Sequence, residues 1–153
     1  MITPQDIEKA VQLLREGGVV VFPTETAYGL AADARNEDAV AKVFEIKGRE
    51  ATKSFPLIAA DVEMVERVAG IPRGLRRLAD KHWPGALTLV LPETSDDLAA
   101  AVIRNGEIAI RVSSHPIAQS LTKGLGAPIV STSANIAGEP VCYTIDAVRT
   151  QLG

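Results

Sequence analysis

Four consecutive apolar residues, Val19-Val20-Val21-Phe22, stand between the pair Gly17-Gly18 and Pro23, and three of the four are β-branched. A run this short, closed on both sides by helix-breaking residues, suits a buried strand. The segment before it has the opposite period. Thr3 followed by Pro4 is a helix start, a hydroxyl N-cap with proline at the first helical position. Ile7, Ala10, Val11 and Leu14 then recur at helical spacing until the glycine pair ends the element.

The same alternation continues along the chain. Residues 28–32, 57–60, 87–91, 108–112 and 129–130 read as strands. Helices are expected after Asn36, with Val40, Val43 and Phe44 on one face, and after Asp61 through Val68. Further helices should open at Pro72, with Leu75 and Leu78 inward, near Pro116, and at Asp146. The polar stretch 47–54 reads as an exposed loop, and 131–138 as a loop at a strand end. Strands alternating with helices predict an α/β domain. No repeat, internal linker or low-complexity tract divides it. Several connections exceed tight βαβ turns, so a mixed sheet is as compatible as a parallel one.

Composition narrows the class. The chain has 153 residues, 46% hydrophobic and 23% charged, which excludes wholesale disorder and a disulfide-stapled miniprotein. Only 4% are aromatic, so the core must be built from Val, Ile, Leu and Ala. A net charge of −3 removes a global cationic footprint for nucleic acid and leaves room for a local patch. Cys142 is the sole cysteine, so no intramolecular disulfide can form. The N-terminus lacks a basic segment leading into an apolar one, and no apolar run reaches the ~20 residues a spanning helix needs. A cytoplasmic domain without a membrane partner is expected.

Four constellations could carry chemistry. The turn Pro23-Thr24-Glu25-Thr26 follows a buried strand, where α/β sheets commonly hold ligands. Its threonines could equally satisfy local backbone groups, and Glu25 is most simply a solvated carboxylate. Lys47, Arg49 and Lys53 put three cations within seven residues around Gly48, a clamp for phosphate oxygens or merely a basic helix end. Ser131-Thr132-Ser133-Ala134-Asn135 follows Ile129-Val130 and can donate to an anion or form an ordinary turn. Arg111 lies inside an apolar strand and needs a partner, either a substrate carboxylate or a structural carboxylate. A basic cluster, Arg73, Arg76, Arg77 and Lys81, could form an RNA-facing helix or a solvated one. His82, His115 and Cys142 have no metal-ligand spacing, so no protein metal site is expected.

Taken in order, residues 21–30, Lys47-Gly48-Arg49, the stretch 83–89 beginning Trp83-Pro84-Gly85, Ile110-Arg111-Val112 with His115-Pro116, and residues 131–135 closely resemble the YrdC/TsaC family of L-threonylcarbamoyladenylate synthases. The resemblance spans nearly the whole chain. It implies a single α/β domain over 1–153, a twisted mixed sheet with flanking helices around a concave, positively lined cavity. It implies a nucleotidyltransferase that converts L-threonine, bicarbonate and ATP, with Mg²⁺, into threonylcarbamoyl-AMP and pyrophosphate. Other proteins would then pass the threonylcarbamoyl group to adenosine 37 of tRNA.

By the same resemblance, Lys47 and Arg49 contact ATP and carry the catalysis, with Lys53, Ser133 and Asn135 also on the nucleotide. Thr24, Arg111 and Ser131 hold threonine. This sequence departs from the family pattern at Glu50, where many members have proline, and at Ile58, where some have histidine. A C-terminal segment of longer members is expected to be missing after Gly153. The alternatives are a non-catalytic module of the same fold that binds tRNA or double-stranded RNA, and carbamoyl adenylation in hydrogenase maturation, which length disfavours.

Overall fold

The computed structural model of the chain describes residues 1–48 and 53–153. Helix α1 (Pro4–Arg15) starts as expected: Thr3 accepts from the Asp6 backbone N–H while the Asp6 carboxylate accepts from Thr3, a reciprocal cap. It leads into β1 (Val20–Pro23) and β2 (Tyr28–Asp33). Helix α2 (Glu37–Lys47), capped by Asn36, is followed by β3 (Leu57–Ala59). Asp61 caps α3 (Val62–Glu66), which precedes α4 (Arg73–His82) and β4 (Leu89–Pro92). Strand β5 (Glu107–Val112), helix α5 (Pro116–Leu125), strand β6 (Ile129–Ser133) and helix α6 (Ile145–Leu152) complete the chain.

The six strands form one mixed sheet in the order β1-β2-β6-β3-β5-β4. Among the described residues only the β3–β5 pair is parallel. The two-residue period of the strands divides their side chains between two cores. Leu30, Ala32, Leu57, Ala59, Ile110 and Val130 join the larger one, with Val40, Val43 and Phe44 of α2 and Val65 of α3. Ala31, Ile58 and Ile129, the intervening positions, join Val11 and Leu14 of α1 and Leu121 and Leu125 of α5. Helices α1 and α5 approach closely at Gly124, where a Cβ would come within 2.7 Å of a Val11 methyl. Arg15 fastens the contact by donating to the Gly124 carbonyl at 2.7 Å.

Four sequence expectations are corrected. Strand β6 runs on through Ser133, because pairing with β2 (Ala31↔Ser131, Gly29↔Ser133) keeps the hydroxyl-rich residues in the ladder that composition would assign to a loop. Residue 47 belongs to α2 and is buried rather than exposed. Strand β4 begins two residues later than expected, since the Leu87 carbonyl accepts from the Trp83 indole at 2.7 Å and stays with the preceding turn. On α4 the inward position after Leu75 is taken by Ala79, leaving Leu78 exposed. No described helix is long and apolar enough to cross a membrane.

Candidate active site

The sheet face covered by α1 and α5 does not stay apolar along its length. On β6, Ile129 lies in the core beneath these helices, while Ser131 and Ser133, two and four residues on, project from the same face. Arg111 pairs in register with Ile58 and therefore shares that face. Where these polar residues emerge, a hollow of about 240 Å³ opens. Thr24, Thr26, Tyr28, Thr88, Arg111 and the three hydroxyl residues of β6 contribute to its wall.

The β1–β2 turn closes one side. The Thr24 hydroxyl donates to the Ala27 carbonyl at 2.8 Å and accepts from the backbone N–H groups of Thr26 and Ala27 at 3.2 Å each. Thr24 thus knits its own turn and borders the hollow at once. The next residue departs from expectation. Glu25 is not a solvated carboxylate: one oxygen accepts from the Arg111 guanidinium and the other from the Ser113 hydroxyl. An apolar strand supplies Arg111, 8% exposed, and the turn supplies the opposite charge its burial demands. Burial alone would raise Glu25. The Ser113 hydrogen bond, the residue's own backbone N–H and the Arg111 charge outweigh it and hold the carboxyl below its ordinary value.

A second cation lies behind β6. Lys47, 3% exposed, donates from Nζ to the Ser133 carbonyl at 2.7 Å, the Asn135 carbonyl at 2.9 Å and Asn135 Oδ1 at 3.1 Å. Its own carbonyl accepts from Ala137 at 2.9 Å. Ser133 Oγ donates to Asn135 Oδ1, and Asn135 Nδ2 donates to the Glu139 carbonyl at 2.7 Å. The end of α2 is thereby locked to the loop that follows β6.

Of the residues singled out from sequence, Thr24, Arg111, Ser131 and Ser133 border one hollow, and Lys47 and Asn135 join it through Ser133. Lys53 is exposed and is not part of the wall. Arg49 lies outside the described residues. Glu25 and Ser113 were missed. Ser113 stands two positions beyond Arg111, the spacing that places side chains on one strand face, and Glu25 is the only acid in the hydroxyl turn. On α4, Arg76 is engaged by Glu66 and Asp80, which cancels part of the basic face. Among the described residues no three His, Cys, Asp or Glu side chains gather as metal ligands.

Residues 12–153 match the Sua5/YciO/YrdC family, described as telomere recombination. The chain is 45% identical over 136 residues to a threonylcarbamoyl-AMP synthase of Bacillus subtilis (strain 168), covering 88% of this chain and 39% of that one. It is 39% identical over 151 residues to a threonylcarbamoyl-AMP synthase of Coxiella burnetii, covering 97% and 81% respectively. The crystal structure of P. abyssi Sua5 complexed with L-threonine superposes with a TM-score of 0.92 at 38% identity, over 99% of this chain and 45% of that one. The chain thus spans less than half the length of the Bacillus and P. abyssi relatives and most of the Coxiella one.

Proposed function

Since the chain belongs to the Sua5/YciO/YrdC family, we propose that it makes threonylcarbamoyl-AMP from L-threonine, bicarbonate and Mg·ATP. The observation that carries the reading is the hollow in which a buried arginine faces a row of strand hydroxyls. Further support comes from the Bacillus and Coxiella relatives, which bear that activity's name, and from P. abyssi Sua5, which was crystallised with threonine.

The amine of threonine combines with bicarbonate to give a carbamate and water. A carbamate oxygen then attacks the α-phosphorus, and the bond to pyrophosphate breaks. Charge builds on phosphoryl oxygens, so positioning and electrostatic stabilisation suffice and no protein nucleophile is needed. Arg111 takes the amino-acid carboxylate as a planar, permanently charged donor. Thr24 and Ser131 bound the amino acid's other polar groups.

Ser133, Asn135 and Lys53 serve the nucleotide, and Lys47 and Arg49 meet the reacting phosphates. To reach an ATP oxygen, Lys47 exchanges one of its present acceptors, of which the Ser133 carbonyl lies nearest the hollow. Mg²⁺ enters as part of the substrate, bound to the phosphates. The adenylate then passes to separate proteins that modify adenosine 37 of tRNA, in the cytoplasm.

The test is pyrophosphate release from ATP by the purified chain. Turnover should require L-threonine and bicarbonate together. Equal turnover without threonine overturns the assignment.

A further inference from the structure

Arg111 borders the hollow, whereas Glu25, which holds it, and Ser113, which holds Glu25, do not. A guanidinium carries five N–H donors in a rigid fork. Glu25 engages only the Nη1 end, so the rest of the fork remains for a ligand. Glu25 is itself fixed at its other oxygen by Ser113, whose hydroxyl also accepts from the His115 backbone N–H at 3.1 Å. That last bond anchors the relay to the start of α5, since His115 caps the helix by accepting from Ile117 at 3.2 Å.

We propose that Glu25 is the positioning residue of the amino-acid subsite, acting through Arg111 to aim the guanidinium at the substrate carboxylate. The inference rests on the functional reading above and deepens it. Two physical requirements converge here. An arginine this buried needs a counter-charge while the hollow is empty, or its side chain is driven toward water and away from its working direction. A carboxylate that is fastened by Ser113 and does not border the hollow meets that need without occupying the ligand's place. The pair also links the β1–β2 turn to β5, so the wall bearing Thr24 is set by the same contact.

The experiment is calorimetric titration of the full chain with L-threonine, with L-threoninol, which lacks the carboxylate, and separately with ATP. Wild type should prefer threonine to threoninol. Glu25→Gln should weaken threonine by about tenfold, the scale of one charge-assisted hydrogen bond, while threoninol and ATP affinities stay put. Combined with Arg111→Met, it should add nothing to the loss caused by Arg111→Met alone.

Unchanged threonine affinity in Glu25→Gln, equal losses for ATP, or additive losses in the double variant overturn the proposal. If Glu25→Gln fails to fold, Ser113→Ala takes its place. It should weaken threonine selectively by a smaller factor, and wild-type affinity there is equally fatal. Wild-type protein that binds no threonine overturns the functional reading, and this inference with it. Wild type that binds while both variants bind equally well overturns this inference alone.

Discussion

One face of the sheet serves two purposes. Beneath α1 and α5 it presents Ala31, Ile58 and Ile129 to an aliphatic core, while at adjoining positions, Ser131 opposite Ala31 and Arg111 opposite Ile58, it turns polar toward the hollow. The backbone register is continuous from one to the other. What changes is only the side chain set on each inward position. Stability should therefore be concentrated in the first set and ligand recognition in the second, and substitutions can separate them.

The largest effect is expected in the apolar set. Ile129→Ala removes a fully buried side chain between two helices and the sheet and should cost about 2–5 kcal/mol in denaturant unfolding. The protein that remains folded should keep its threonine affinity. In the polar set, Arg111→Met keeps volume but strands Glu25, and should cost about 1–3 kcal/mol of stability. Unlike Ile129→Ala, it should raise the KM for threonine with little change for ATP in steady-state kinetics.

Ser131→Ala should lower threonine affinity by about 0.5–1.5 kcal/mol and leave the unfolding midpoint nearly unmoved. A stability loss as large as that of Ile129→Ala would erase the distinction between the two sets. Acid provides the mildest probe. Glu25 is held below its ordinary value of 4.5, so its contribution is complete above that pH and is lost as pH falls through the lowered value. Compared with Glu25→Gln, wild type should lose its advantage in unfolding free energy only in that acidic window.

These two sets were unequally legible in the sequence. The helices announced themselves through Thr3, Asn36 and Asp61, whose side chains cap as their positions suggested. The strand at Val20 followed from a short β-branched apolar run closed by glycine and proline. The extension of β6 through Ser133 did not, because small polar residues favour loops locally and only the ladder to β2 overrides that preference. The membership of Thr24, Arg111 and Ser131 in one hollow came from resemblance, since strand order is not written in any one segment. Glu25 was misread for a related reason. Its partner lies 86 residues away, and a lone acid among threonines carries no local sign of that pairing.

Strand β6 lies between β2 and β3, although it is the last of the six described strands in sequence order. A ribosome that has not yet delivered residue 129 holds a hairpin and a three-stranded piece that share no strand-to-strand pairing. The final strand is both the keystone of the sheet and a wall of the hollow. The six-stranded sheet therefore closes, and the hollow gains its β6 wall, only once residues 129–133 are in place.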